Sequence, residues 1–267
     1  MIIDELRAIA IERSANLGND NFVLRGLWRL NLLFRPNAQE RLFEYTVVVA
    51  QTLHQGCCYT EEDPVLDRNL LGQDARLIRS SYSSIEIATL DAVYSVFPKR
   101  PSRSFVLDGT ALEKSKHRAR IVVDEVALQL ASTSSLKGKT IVNIGVVGNI
   151  IRELKVRGAT VYATDRDPGL VGTTISDVRV ESCDTNGQRI AECDLALVTG
   201  MALSTETLDE IMRQCAVRNK KLVIFAETGA NFAEEYCRLG VDAVISEPFP
   251  FYIFSGVSRI DVYRAEG

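Results

Sequence analysis

The chain has 267 residues. A single hydrophobic core of ordinary size does not accommodate a chain of this length, so two domains are expected. Its net charge of −4 and its dispersed basic residues argue against nucleic acid as a partner. No apolar run approaches the roughly 20 residues that cross a membrane, and the charged N-terminus does not resemble a signal peptide. We therefore expect a cytoplasmic protein that binds a small-molecule ligand. The sequence leaves open whether the chain forms a homo-oligomer.

The first half is predicted to form a small α+β domain over residues 1–115. Apolar residues at helical spacing predict a helix over residues 2–16, and a second predicted helix begins at the serines near residue 80 and ends before Pro98. Between these helices, strands are predicted for the β-branched and aromatic segments NFVLRGLWRLNLLF and RLFEYTVVVAQTL. After them, the candidate linker is PKRPSRSF, which contains two prolines.

The densest group of chemically reactive side chains in this half lies in TLHQGCCYTEED. His54, Cys57 and Glu61 offer nitrogen, sulfur and oxygen donors, so they are the candidate metal ligands. Because their spacing matches no zinc motif, the alternative is a solvated turn with its thiols packed inward. Most of the six cysteines are expected to be reduced and buried, since the chain has neither a C-x-x-C pair nor a signal peptide.

The second half, residues 116–267, alternates predicted strands with predicted helices. A first helix, HRARIVVDEVALQLAS, leads into it. The strands are KTIVNIGVV, ATVYATD, CDLALVTG, KLVIFAE and VDAVIS, and the helices among them are GNIIRELKVRG, STETLDEIMRQCAVRN and ANFAEEYCRLG. This alternation predicts a parallel sheet with crossover helices, which is a Rossmann-like α/β domain.

A candidate ligand site lies at the turn after the first of these strands. Gly145 and Gly148 allow a tight turn, and Asn149 lies where the following helix begins. Free amides at a helix start favour an anionic or polar group, and Asp165, at the end of the next strand, can bind a ribose diol. The four residues therefore indicate an adenosyl-type ligand. Since the loop reads G-V-V-G-N-I rather than G-x-G-x-x-G, the alternative is a tight turn that Asp165 caps.

Polar residues also follow two further predicted strands. Thr199, Gly200, Ser204 and Thr205 come after CDLALV, and Glu227 comes after KLVIFA. Because the carboxyl ends of parallel strands share one edge of a sheet, these residues are expected to line a common pocket that TLHQGCCYTEED covers. N-capping of the next helix is the alternative explanation for Ser204 and Thr205.

A family resemblance spans residues 136–245. It rests on the loop IGVVGNI, the strand end ATDRDP and especially ECDLALVTGMALSTETLDEIM. These segments resemble an uncharacterised prokaryotic family described as putative heavy-metal chelation proteins. The resemblance implies a first domain similar to the N-terminal domain of enolase, followed by a Rossmann-like domain. It also implies that a metal or a metal-binding metabolite binds in a cleft at the strand ends.

Two functions from different classes follow from these observations. The first is a binding protein or enzyme of the chelation family, with a divalent metal as cofactor or ligand. The alternative is an S-adenosylmethionine-dependent transferase or a related enzyme, which the strand-turn-helix and Asp165 favour. A nicotinamide-dependent dehydrogenase is least favoured because the glycine fingerprint is broken. Whether the chain is an enzyme stays open, since no nucleophile–histidine–acid set identifies catalytic residues.

Overall fold

The computed structural model describes residues 1–35, 42–132 and 135–265 as two sheets flanked by helices. The elements in chain order are α1 (Ile2–Arg13), β1 (Gly26–Phe34), β2 (Phe43–Gln51), β3 (Gln55–Thr60), α2 (Ser83–Tyr94), β4 (Arg103–Leu107), α3 (Ala111–Gln129), β5 (Thr140–Ile144), α4 (Gly148–Val156), β6 (Thr160–Asp165), β7 (Thr174–Ile175), β8 (Val178–Ser182), α5 (Asn186–Glu192), β9 (Leu195–Thr199), α6 (Met201–Ser204), α7 (Leu208–Val217), β10 (Lys221–Ala226), α8 (Ala233–Arg238), β11 (Ala243–Ser246) and β12 (Ser258–Arg264). Short 3-10 helices lie at Asn19–Phe22, Arg68–Leu70, Cys183–Thr185 and Ala230–Phe232.

The smaller sheet is antiparallel, with its strands in the order β1-β2-β3. Successive side chains of a strand face opposite sides, so Cys57 and Cys58 of β3 belong to different apolar clusters. Helix α2 packs on the face that carries Cys58. Gly56 permits this close approach, because a Cβ there would overlap the backbone of Ala92 in α2.

The larger sheet has the strand order β4-β12-β11-β10-β9-β5-β6-β8-β7. Its centre, from β11 to β8, is parallel, while β4, β12 and β7 join antiparallel at the two ends. Helices cover both faces, which explains why β5, β9 and β11 are buried along nearly their whole length rather than at alternate residues. The predicted fold class, a Rossmann-like parallel sheet after a smaller α+β unit, is confirmed.

The stretch interpreted as a linker overlaps the start of strand β4, which pairs with β12 at the edge of the large sheet. Its partner lies about 150 residues away along the chain, so no local pattern could indicate the pairing. The boundary between residues 115 and 116 stays a prediction. None of the helices in the described ranges combines the length and the apolarity needed to cross a bilayer.

The apolar core falls into three clusters. One joins α1, α2 and one face of the small sheet to one face of the large sheet. A second lies on the other face of the large sheet, beneath α3 and α4. The third packs the other face of the small sheet against Phe251 and Tyr252. All six cysteines are free, and four of them are buried in these clusters or beside them, as expected.

Candidate functional site

The carboxyl ends of β5, β6, β9, β10 and β11 lie along one edge of the large sheet. Strands β6 and β8 follow β5 in the chain and lie on one side of it in the sheet. Strands β10 and β11 follow β9 and extend the sheet in the opposite direction. The strand order therefore reverses between β5 and β9. Open α/β sheets bind ligands in the crevice outside such a reversal, because helices on opposite faces leave it uncovered.

Gly145 closes the turn after β5 in a backbone conformation that favours glycine, with φ at 80°. A Cβ there would overlap Oγ1 of Thr199 at the end of β9, so glycine lets the two central strand tips meet. Gly148 is the first residue of α4, and Asn149 donates its side-chain N–H to Oγ of Ser115 at 2.8 Å. The structure thus brings Gly145 and Thr199 together, as predicted, while Asn149 ties α4 to α3.

Asp165 connects the turns that follow β5 and β6. One of its carboxylate oxygens accepts the backbone N–H of Val146 at 2.8 Å, and the other accepts that of Asp167 at 2.9 Å. The carboxylate therefore caps neighbouring turns, which agrees with the second interpretation of this residue. A ribose diol at Asp165 would have to share these oxygens with the two backbone N–H groups.

Gly200, Ser204 and Thr205 surround the short helix α6. A Cβ on Gly200 would lie 2.6 Å from the carbonyl oxygen of Thr228, so this position also brings two strand ends together. The hydroxyls of Ser204 and Thr205 both donate to the carbonyl of Met201 at 3.0 Å, which closes α6. Neither caps α7, so the N-capping interpretation of these two residues was wrong.

His54, Cys57 and Glu61 do not share a metal site. His54 and Glu61 are exposed beyond the two ends of β3, which at about 3.3 Å per residue places them roughly 20 Å apart. Cys57 is buried between them and donates its thiol to the carbonyl of Glu227 at 3.1 Å. Burial and the nearby Asp91 hold the pKa of this thiol well above its usual value, which disfavours a metal-binding thiolate. Within the described ranges, no group of three or more His, Cys, Asp or Glu could hold a metal ion.

Strand β3 lies directly over the end of β10. The backbone N–H of Tyr59 donates to Oγ1 of Thr228 at 2.9 Å, and that of Gly229 donates to the carbonyl of Cys57 at 3.2 Å. The segment TLHQGCCYTEED thus reaches the edge at which it was expected. By covering the β10 end, it leaves open crevices on either side.

The crevice on the β6 and β9 side is an open cleft of about 270 Å³, here called the sheet-edge cleft. It is lined by Thr60, Glu61, Glu62 and Ser83 from the first half and by Arg166, Ser204, Thr205 and Glu206 from the second. Three lining residues were predicted site residues: Glu61, Ser204 and Thr205. Both halves of the chain thus contribute to one cleft, and it holds three carboxylates and one guanidinium.

Charged side chains of the sheet-edge cleft connect its two walls. The guanidinium of Arg166 lies 3.9 Å from the Glu61 carboxylate and donates to the carbonyl of Thr205 at 3.1 Å. Glu62 accepts the backbone N–H groups of Ser83 at 3.3 Å and Ser84 at 3.1 Å, so it caps the start of α2. On this wall, Glu61 is the exposed carboxylate that faces Arg166.

A buried ion cluster that the sequence interpretation missed lies behind Glu227, the remaining predicted residue. Arg118 of α3 donates one nitrogen to Glu227 at 2.7 Å and to Glu247 at 3.0 Å, and its guanidinium stacks 3.7 Å from the Tyr252 ring centroid. The side chains of Arg118 and Glu247 are 5% and 0% exposed, whereas Glu227 retains 20%. Burial raises the pKa of Glu227 to about 7, although Arg118 opposes the shift.

A signal for this cluster does exist in the sequence. Arg118 lies three residues before Ile121 and four before Val122, on the face of α3 that carries the apolar residues. A basic residue on an apolar helix face needs a buried partner. The two acids that supply it follow β10 and β11, far along the chain.

Comparisons with known proteins agree with this architecture. The model of the DUF364 family, described as putative heavy-metal chelation, matches residues 129–246. The resemblance stated from the sequence for residues 136–245 is thereby confirmed. A search of curated proteins gave no match.

Two solved structures share the fold of nearly the whole chain. A DUF364-family protein from Pyrococcus horikoshii is 15% identical with a TM-score of 0.58, covering 99% of this chain and 100% of that one. Another, from Desulfitobacterium hafniense, is 14% identical with a TM-score of 0.56, covering 98% and 100%. Both are described as proteins of unknown function, so the similarity concerns the fold.

Proposed function

We propose that this protein binds a metal ion as a positively charged complex with a small metabolite, in the sheet-edge cleft. The observation that carries the proposal is the cleft itself, in which both halves of the chain contribute to one acidic crevice beside the strand-order reversal. The description of the matching family, heavy-metal chelation, supports a metal as part of the ligand.

The charge of the cleft supports a cationic ligand. Glu61, Glu62 and Glu206 line it together with a single guanidinium, that of Arg166. A cleft with an excess of one charge raises the local concentration of the opposite charge. Glu206 also has a left-handed backbone, with φ at 57°, which is uncommon for a residue with a side chain and is concentrated at functional sites.

The donor set supports a complex over a bare ion. The described residues contain no group of three or more acidic, histidine or cysteine side chains that could surround a metal. A metabolite that supplies most of the metal ligands removes that requirement. The hydroxyls of Thr60, Ser83, Ser204 and Thr205 can then hydrogen-bond the organic part.

S-adenosylmethionine, the alternative ligand, has less support. Its sulfonium is positively charged and would suit an acidic cleft. The cleft also lies next to the end of β6, because Arg166, which follows that strand, lines it. Both carboxylate oxygens of Asp165, however, already accept backbone N–H groups, so this side chain is explained by its role in the two turns without a ribose contact. The two ligands are separable by the same experiment.

Isothermal titration calorimetry at neutral pH tests the proposal with four probes. The 1:1 nickel–histidine complex, which is positively charged, is expected to bind, while Ni²⁺ alone and the negatively charged nickel–citrate complex bind more weakly. The double variant Glu61→Gln/Glu206→Gln is expected to lose about fivefold in affinity for nickel–histidine, because two partly exposed charges are removed. Binding of S-adenosylmethionine alone would replace the proposal with the alternative.

The matched control is Glu5→Gln, which removes an exposed carboxylate on α1 outside the cleft. It is expected to bind nickel–histidine as the wild type does. Equal affinities for all three proteins, or tighter binding of nickel–citrate than of nickel–histidine, would refute a cationic ligand in this cleft.

A further inference from the structure

A second crevice lies at the other end of β3, beside the ends of β10 and β11. It has a volume of about 420 Å³ and is lined by Gln51, Leu53, His54, Gln55, Ser95, Asn231, Pro248 and Phe249. We call it the amide crevice, because three of these residues carry side-chain amides. Carboxylates and ammonium groups do not occur among these lining residues, so its chemistry differs from that of the sheet-edge cleft.

Asn231 is held in one orientation at the floor of the amide crevice. Its backbone N–H donates to Asp91 at 2.8 Å, and its side-chain N–H₂ donates to Asp91 at 3.3 Å and to the carbonyl of Gln55 at 3.4 Å. An inverted amide would set its oxygen against two acceptors, so the hydrogen bonds select the observed orientation. The amide oxygen is thereby turned away from both partners and is available as an acceptor.

Two ionisable groups, the buried Asp91 and the half-buried Lys99, hold Asn231 from behind. Asp91 is 1% exposed, and Nζ of Lys99 donates to the Asn231 carbonyl at 2.6 Å. Burial raises the pKa of Asp91 to about 7 and lowers that of Lys99 to about 8, which reflects the cost of removing these charges from water. Ionisable groups that lose contact with water in order to hold one half-exposed amide are typical of a pre-organised binding residue.

The walls add an apolar surface and further amides. Phe249 is half-buried, and its ring packs edge-on against Phe251 and Phe254, which fixes its plane. Gln55 and His54 are exposed on the opposite wall, at the turn between β2 and β3. Amides with both donors and acceptors beside one aromatic ring suit a ligand that has hydroxyls on its rim and C–H groups on its face.

We propose that the amide crevice binds a neutral sugar ring. One sugar hydroxyl donates to the Asn231 amide oxygen, Gln51 and Gln55 bind hydroxyls at the rim, and the apolar face of the ring packs on Phe249. The site lies roughly 15 Å along β3 from the sheet-edge cleft, so it does not depend on the function proposed there.

Saturation-transfer difference NMR with glucose, galactose, N-acetylglucosamine and ribose at millimolar concentrations tests this assignment. At least one sugar is expected to receive saturation, while glucose 6-phosphate and gluconate receive much less because no lysine or arginine is among the described residues that line the crevice. Asn231→Ala keeps the backbone hydrogen bond to Asp91 and is expected to bind the sugar about tenfold more weakly.

Gln55→Ala supplies a second variant in an exposed turn, with an expected loss of about threefold. Gln188→Ala, on the exposed side of α5, is the matched control and is expected to bind as the wild type does. The assignment is overturned when none of the four sugars binds the wild type. Wild-type affinity in both Asn231→Ala and Gln55→Ala would overturn it as well.

Discussion

Arg118 is the side chain on which the charge balance behind the sheet edge depends. It is 5% exposed and neutralises Glu247, which is fully buried, as well as Glu227. Glu247 has a further partner in the backbone N–H of Tyr252 at 2.7 Å, but no other cation is recorded beside it in the described residues. Removing the guanidinium would therefore leave a buried carboxylate without its counter-ion.

We expect Arg118→Met to lower the free energy of unfolding by about 3–5 kcal/mol, as for other buried ion pairs that lose one partner. Urea denaturation measures this change. The control is Arg213→Met, which breaks an exposed ion pair with Glu210 and is expected to cost less than about 1 kcal/mol. Similar losses in the two variants would show that the buried cluster contributes no more than a surface pair.

Glu227 is expected to make stability depend on pH. Burial raises the pKa of its carboxyl from 4.5 to about 7 in the folded protein. The folded state thus binds this proton more tightly than the unfolded state does, and the resulting stabilisation is present below pH 4.5 and is lost as the pH rises through 7. Wild type is expected to lose stability relative to Glu227→Gln between pH 5 and 8, as measured by urea denaturation in parallel titrations.

The matched control for this titration is Glu5→Gln, whose carboxylate is exposed on α1. Its stability is expected to follow the wild-type curve across the whole range. A Glu227→Gln curve parallel to that of wild type would mean that Glu227 is ionised in the folded protein at pH 5.

The positions of single residues at the sheet edge were predictable where they follow strands. Thr199 and Glu227 come directly after apolar runs, and the rule that parallel strand ends share an edge placed both. Asp165 was placed correctly too, but its backbone partners depend on how the turns fold. Arg118 was missed because its two acids lie more than 100 residues away along the chain.

At the scale of elements, the turn between β5 and α4 depends on Gly145. Its φ of 80° disfavours other residues, and a Cβ would in addition overlap the Thr199 side chain. Gly138 has nearly the same φ, 79°, but a Cβ there would meet no atom within 4 Å. The two glycines therefore separate the cost of the backbone conformation from the cost of the contact.

We expect Gly138→Ala to lower the free energy of unfolding by about 1 kcal/mol and Gly145→Ala by about 1–3 kcal/mol more. Thermal and urea denaturation measure both. Thr199→Ala in the Gly145→Ala background is expected to recover part of the difference, because it removes the nearest atom. If the two glycine variants lost equal free energy of unfolding, the contact between the strand ends would not be the reason for glycine at position 145.

Most strands of the parallel sheet were predictable because they are short, largely apolar runs between helices. β5, β6, β9, β10 and β11 were all expected, whereas β8, which extends the parallel sheet beyond β6, was not. The antiparallel strands β4 and β12, at one end of the sheet, were not expected either. Each is half polar and exists because it pairs with a distant partner, so its strand character is a property of the assembled sheet.

At the scale of the whole molecule, one apolar cluster connects the two sheets. It runs from Leu6 of α1 and Ile85 of α2 to Val198 and Ile224 of the large sheet. Polar contacts reinforce the connection, among them the ion pair of Arg13 with Glu235. The small sheet, with three strands, cannot bury its two faces without α2 and the large sheet. Such shared burial predicts that the halves unfold together, wherever a topological boundary is drawn.

Trp28, the single tryptophan, provides a direct test of this cooperativity. It lies in β1, so its fluorescence reports on the small sheet, whereas most helices that dominate far-ultraviolet circular dichroism pack on the large one. We expect the two signals to give urea midpoints that agree within about 0.2 M, since both sheets lose the same apolar cluster in one transition. Arg13→Met, which removes one contact between the halves, should lower both midpoints equally. A fluorescence midpoint lower than the dichroism midpoint by about 0.5 M or more would instead mean that the first half melts from a folded large sheet, as an independent domain does.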